Sequence, residues 1–383
     1  MNLRTAVWIG SGVVALSVVC FGGWLLSLPS PPAATAAPAI AREETAAALA
    51  ALRPPKRERP LIAVIGINDA TETTDYLMTY GVLRRAGVGD VVALATGPGP
   101  VRLYPALTAE PDSTVAEFDA AHPEGADYVI VPAMGRDDDP AAIAWLQSQA
   151  AKGATVISVC AGAKVIGKAG LLDHRRATTH WYYVDELLEI SPTTEYVADR
   201  RMVIDGSVAT TTTTGISASM PMMLTLIEAI AGREKAEAVA QELGLREWDA
   251  RHASDAFKLT RAFATSVLRN RLTFWNHEAF GIALQPGIDE VSLALAADAW
   301  SRTYRSRVVT FANGPTKTRS GIRILPDRQS DTWSGGPLVS TIANRPPARV
   351  LDDTLATIAE RYGAPTAHVV AMQLEYPTSG DMR

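Results

Sequence analysis

Cys160 closes a largely β-branched run, Thr155-Val156-Ile157-Ser158-Val159, and is followed at once by Ala161, Gly162 and Ala163. That order of residue types is what a sharp strand-to-helix turn requires. The nucleophile's backbone is strained there, and its neighbours two residues away must be small so that strand and helix can approach. Ser158-Val159-Cys160-Ala161-Gly162 is a relative of the G-x-S-x-G elbow with a thiol in the nucleophile's place. The side chain would point at a helix N-terminus, whose unpaired N–H groups favour an anion and lower a thiol pKa. A cysteine that merely packs at the end of a strand has the same surroundings in sequence, and spacing alone leaves both readings standing.

The elements around the thiol are regular. Leu61–Gly66, Asp90–Gly97, Ala126–Pro132 and Ala154–Val159 are short apolar runs of the buried-strand type. Helical spacing fills the gaps: Thr71–Gly87, a helix opened by Pro140 that ends near Gly153, and Ala161–Ala169. Short strands are expected near Glu195–Val197 and Met202–Ile204, and helices from Ser217 to Leu243 after the run Thr210–Thr214. Strands alternating with helices predict an α/β domain, a parallel sheet covered on both faces. Ligands sit outside the C-terminal strand ends of such sheets, where Cys160 stands.

The first 60 residues lie outside this pattern. Ala6–Leu28 carries no charge over 23 residues, long enough as a helix at ~1.5 Å per residue to cross a hydrocarbon core of roughly 30 Å. Arg4 precedes it and Arg42 is the next basic residue, which favours a single-pass anchor with the main body extracytoplasmic. The alternative is a signal peptide cleaved near Ala34-Thr35-Ala36, with secretion; the length of the apolar run favours retention. Residues 29–60, rich in Pro and Ala, are expected to be a semi-rigid spacer, with a short helix from Arg42 to Leu52. The net charge of −5 gives no reason to expect a nucleic-acid partner, and Arg269 and Arg271 are read as a solvated face. With two cysteines, no CxxC pair and six scattered histidines, neither a disulfide framework nor a metal or other cofactor site is expected.

Residues 129–134 (VIVPAM), 153–181 (GATVISVCAGAKVIGKAGLLDHRRATTHW) and 211–243 (TTTTGISASMPMMLTLIEAIAGREKAEAVAQEL) resemble the ThiJ/PfpI group of the class I glutamine amidotransferase-like superfamily. The nearest branch is the amidase-like sensor half of AraC-type regulators together with the isocyanide hydratases. The resemblance covers about residues 61–245 and implies a flavodoxin-like three-layer sandwich. It also implies that Cys160 is the reactive cysteine and that an acid after the first strand hydrogen-bonds the thiol; counting back from Arg84 places that acid at Asp75, with Glu72 as fallback. A charged acid beside sulfur raises the thiol pKa, whereas a protonated one donates to a thiolate. The expectation is therefore a partly buried acid of raised pKa coupled to Cys160. Both acids also suit the first turn of a helix for the dipole alone.

His180 stands where many superfamily members place a histidine beside the thiol, as base or orienting group; a packed histidine at a strand end fits as well. Backbone N–H groups of Ala161 and of the turn Ala133-Met134-Gly135 would hold an oxyanion. That turn departs from the family's glycine pair, and Ala161 stands where isocyanide hydratases have Thr.

Two stretches late in the chain echo earlier ones in the same order: VVTFANGP (308–315) after VVALATGP (91–98), and 355–374 after 224–243. Residues 246–284 are read as a helical connector, and 285–383 as a smaller, degenerate α/β second copy without a cysteine, packed on the first as an intramolecular pseudo-dimer; a homodimer, or chance recurrence of a common pattern, is the alternative. Three functions compete. The first is a tethered cysteine-dependent hydrolase, hydratase or lyase on a small molecule. The second is a non-catalytic module that senses a ligand or an oxidant, and the third is an assembly protein with a relic site.

Overall fold

The structure is a computed structural model, and it describes residues 17, 19–30, 36–339 and 345–377. Twelve strands belong to the first part of the chain. They are β1 (Leu61–Gly66), β2 (Asp69–Glu72), β3 (Asp90–Ala95), β4 (Val101–Tyr104), β5 (Thr108–Glu110), β6 (Ser113–Thr114), β7 (Tyr128–Val131), β8 (Thr155–Ser158), β9 (Arg176–Ala177), β10 (Glu195–Tyr196), β11 (Met202–Asp205) and β12 (Val208–Thr211). Seven of them form the central sheet in the order β11-β12-β8-β7-β1-β3-β6. Val64, Ile130 and Ile157 lie side by side across β1, β7 and β8 and are fully buried, as the uninterrupted apolar runs require of strands covered on both faces. The sheet is mixed rather than purely parallel. β11 and β12 pair antiparallel, because Gly206 at φ 62° closes a tight turn between them.

Helices Thr73–Ala86 and Ser219–Ala231 cover one face, with Tyr76, Leu77, Met222 and Leu226 buried. Val115–Ala121, Pro140–Ala151 and Gly162–Lys168 cover the other with Phe118, Trp145, Leu146 and Ile166. The α/β expectation therefore holds, as a flavodoxin-like sandwich. Residues 42–60, read above as spacer, are docked on it. Leu52 is fully buried and its carbonyl accepts from Tyr128 Oη at 2.7 Å, while Glu44 pairs with Arg200 and Arg57 with Asp127, each at 2.6 Å. Burying Leu52 takes a large apolar side chain out of water, which favours the docked arrangement. The apolar stretch Ala6–Leu28 lies largely outside the described residues; among those described, no helix is long and apolar enough to cross a membrane.

A second unit starts at Glu278, inside the stretch read as connector. β13 (Glu278–Ala283) and β14 (Ser306–Ala312) run parallel on either side of helix Glu290–Ser301. β15 (Thr316–Lys317) and β16 (Arg323–Ile324) form a hairpin that extends the β5-β4-β2 sheet of the first part, and β17 (Arg328–Gln329) joins β14. The two units match in local detail. Helix pairs Ser219–Ala231/Arg233–Leu243 and Pro347–Tyr362/Ala364–Gln373 are each joined by one glycine in the same unusual conformation, Gly232 (φ 87°, ψ 167°) and Gly363 (φ 90°, ψ 154°). Helices Thr73–Ala86 and Glu290–Ser301 pack on each other through one continuous core that includes Tyr80, Val291, Leu295 and Trp300.

Candidate functional site

The chain leaves β8 at Ser158, and Cys160 adopts φ 55°, a left-handed conformation that costs a non-glycine residue energy and marks a constrained turn. Gly162 makes the turn feasible: a Cβ there would lie 2.2 Å from the Val131 carbonyl oxygen. Thr179 Oγ1 donates to the Cys160 carbonyl at 3.0 Å, and the Cys160 N–H to Thr211 Oγ1 at 3.4 Å. These contacts hold the elbow from two further segments.

Glu72 and Asp75 both reach this site, and both are buried. Glu72 is the N-cap of helix Thr73–Ala86. Its Oε2 accepts from the Asp75 N–H at 2.6 Å and from the Thr74 and Thr214 hydroxyls at 3.1 and 3.2 Å. Its Oε1 meets the Arg302 guanidinium at 2.6 Å, and Arg302 Nε in turn meets Asp298 at 2.7 Å. Asp75 Oδ2 accepts from the Ala133 N–H at 3.0 Å, while its Oδ1 has no partner. One buried guanidinium thus serves three buried carboxyl groups, so a full set of carboxylates would leave net negative charge in a dry site.

The titration of the acids follows from that count. Burial and then the charge of Asp75 raise Glu72 to about 7 against the pull of Arg302. Burial raises Asp75 to about 6, opposed by the neighbouring Thr214 hydroxyl and by the hydrogen bond from the Ala133 N–H, and burial raises Asp298 to about 7. The expected raised-pKa acid is present three times over. The thiol, however, moves opposite to the elbow's dipole. Burial first, then Asp75, then Glu72, push Cys160 well above its ordinary value, and the hydrogen bond from the Ala161 backbone and the charge of Arg302 only partly offset them. A short helix of seven residues, Gly162–Lys168, is too weak a source of field to prevail over desolvation and two adjacent carboxyls. The resting site therefore holds a neutral thiol beside acids that exchange protons near neutrality.

Two further expectations need correction. His180 is buried but turns away from the thiol: Nε2 donates to the Gln373 carbonyl at 3.1 Å and Nδ1 accepts from the Tyr182 N–H at 3.2 Å. Both ring nitrogens are occupied, and burial drives its pKa down to about 3, so it is no base for Cys160. The turn Ala133-Met134-Gly135 spends its outer N–H groups internally, Ala133 on Asp75 and Gly135 on the Ala70 carbonyl at 2.6 Å. Met134 is buried, bridged to Thr71, and fills space beside the acids. Of the proposed oxyanion donors, the Ala161 N–H is the one directed at the sulfur.

Arg302 and Asp298 were not anticipated, because they come from the second unit. A signal existed. Arg85 stands as far beyond the cap Glu72 as Arg302 stands beyond the cap Asp289, and the structure pairs them crosswise, Arg85 with Asp289 and Arg302 with Glu72. The two helices exchange their C-terminal arginines as symmetry mates in a dimer would.

Residues 62–229 match the DJ-1/PfpI family. The chain carries a DJ-1/PfpI domain. Within that domain, 107 residues are 39% identical to the isonitrile hydratase of Pseudomonas putida, covering 28% of this chain and 44% of that protein. A similar stretch of 106 residues is 36% identical to the HTH-type transcriptional regulator CdhR of Pseudomonas aeruginosa, covering 28% of this chain and 31% of the regulator. The chain thus spans less than half the length of either relative. The crystal structure of Drosophila melanogaster DJ-1beta aligns over 49% of this chain and all of its own, with 24% identity and a TM-score of 0.44. The DJ-1/PfpI match carries the ThiJ/PfpI resemblance noted above.

Proposed function

We propose that this protein is a membrane-tethered DJ-1/PfpI enzyme in which Cys160 adds to a small electrophilic carbon and water completes a hydration or hydrolysis. The observation that carries this is the pairing of a strained, elbow-held thiol with buried carboxyl groups whose pKa values straddle neutrality. The thiol need not be ionised at rest. As sulfur bonds to the electrophilic carbon, the S–H proton passes to an ionised acid, Asp75 being the one with a free oxygen. The same acid, now protonated, gives that proton to the substrate, at the carbon of an isonitrile, at the nitrogen that leaves an amide as amine, or at a carbonyl oxygen. Water then adds at the carbon bonded to sulfur and returns a proton to sulfur as the thiol leaves. No oxidant or reductant is consumed. Anchoring through Ala6–Leu28 is part of this reading, and it rests on the length of that uncharged stretch.

The test is turnover of a panel of isonitriles, amides and 1,2-dicarbonyls by the full chain and by Cys160→Ser. Loss of at least 100-fold in the variant, with unchanged circular dichroism, supports the proposal; equal turnover in both sinks it. The depth of Cys160, 8% exposed, favours a second reading as a ligand-sensing pocket. That reading predicts saturable binding of a panel member without turnover, equally in Cys160→Ser.

A further inference from the structure

We propose that helix Arg261–Leu272 and the aromatic turn after it form a lipid-facing surface, lying on the bilayer beside the point where the apolar N-terminal helix leaves it. This rests on reading Ala6–Leu28 as a membrane anchor. The described end of that segment is helical and exposes Val19, Phe21, Trp24 and Leu26. Arg261 holds its described end to the body: the Arg261 N–H donates to the Pro29 carbonyl at 3.0 Å, and its guanidinium to the carbonyls of Leu26 and Leu28. Arg261 thereby satisfies carbonyls that end the apolar helix and fixes which face of the body meets the membrane there.

From that foot an exposed stripe of Arg261, Thr265, Arg269 and Leu272 runs along the helix at helical spacing, while Phe263 and Asn270 are buried on the opposite side. The stripe ends in Phe274 and Trp275, 70% and 68% exposed, their rings edge to face at 5.1 Å. Leu272 beside them is 59% exposed. Three bulky apolar side chains in a row, left in water, mark an interaction surface.

Charge identifies the partner. Residues 257–277 contain Lys258, Arg261, Arg269 and Arg271 and no acid, in a chain whose net charge is −5. The solvated face expected around Arg269 and Arg271 is therefore a cationic one. Trp and Phe beside Arg, on an element that begins at an anchor's exit, is the chemistry of the headgroup boundary. Aromatic rings sit there at the glycerol level while guanidinium groups meet phosphates. Trp24, exposed in the last turns of the apolar helix, is of the same residue type.

The experiment uses the full chain reconstituted into vesicles of phosphatidylcholine and phosphatidylglycerol, with and without lipids brominated near the glycerol end of the acyl chains. The emission of Trp275 is taken as the difference between wild type and Trp275→Tyr. The expected result is flotation with the vesicles and quenching of the Trp275 share by at least half, reduced twofold or more in Arg269→Gln/Arg271→Gln. If the protein floats and residual Trp emission is quenched but the Trp275 share is not, the anchor stands and this proposal falls. If the protein does not float, the anchor reading fails and takes this surface with it. An unquenched Trp275 whose emission instead shifts with protein concentration would assign the surface to a second protein and overturn the proposal.

Discussion

Replacing Glu72 by Gln tests whether burial or the Arg302 ion pair governs the acid beside the thiol. Gln keeps one acceptor oxygen, which on the Asp75 N–H preserves the cap, and sets its amide NH2 toward Arg302 in place of the oxygen that protonation would also turn into a donor, so the variant mimics the protonated acid. Glu72 is raised from 4.5 to about 7 in the folded protein. A carboxyl group shifted upward stabilises the fold fully only below its unfolded value of 4.5, and that contribution is lost as pH rises through 7. At ~1.4 kcal/mol per pH unit, the stability advantage of wild type over Glu72→Gln should fall by about 3 kcal/mol between pH 4.5 and pH 8. Asp298, raised partly by Glu72, moves in the same sense, because the variant relieves its repulsion. Urea unfolding of both proteins at pH 4.5, 6, 7 and 8, followed by tryptophan fluorescence, measures the difference directly. A difference that stays within about 0.5 kcal/mol, or that grows with pH, would show that Arg302 holds Glu72 as a carboxylate throughout and would refute the argument from burial.

Cys160 should alkylate slowly with iodoacetamide at pH 7, its rate climbing with pH beyond that of a free thiol; Asp75→Asn, which removes the leading charge beside it, should shift the curve to lower pH. Gly162→Ala places a methyl group against the Val131 carbonyl, which as backbone cannot swing aside, and should cost at least the ~1–3 kcal/mol of an overpacked core in a thermal melt and abolish Cys160 reactivity. His180→Asn should leave the pH profile of Cys160 alkylation unmoved while lowering the melting temperature, because that ring ties the first unit to Gln373 rather than to the thiol.

How much of this was legible in sequence can be judged residue by residue. The runs around Leu61–Gly66 and Thr155–Ser158 name their own strands, since a short apolar stretch rich in β-branched residues and bounded by turn residues has few other stable arrangements. The elbow was legible for a similar reason. Small residues flanking Cys160 fit a sharp turn, and Gly162 shows in the structure why, as a 2.2 Å conflict awaiting any larger side chain. The antiparallel β11–β12 edge was hidden, because a glycine turn between two short strands says nothing of which neighbour each will pair with. The strand at Glu278–Ala283 was missed because charged and aromatic residues around it mask a short apolar core.

Sequence by itself determined the α/β class and the small-residue turn around Cys160, because each follows from packing local to a few residues, while the acids at the start of helix Thr73–Ala86 were placed by family resemblance. Only the tertiary structure decided what state the thiol is in. Arg302 and Asp298 arrive from more than two hundred residues away along the chain, and the crosswise exchange of arginines between two helices is invisible until the helices meet. Burial is likewise a property of the assembled core. It is burial, acting on three carboxyl groups and one sulfur around a single guanidinium, that reverses the thiolate expected from the elbow alone.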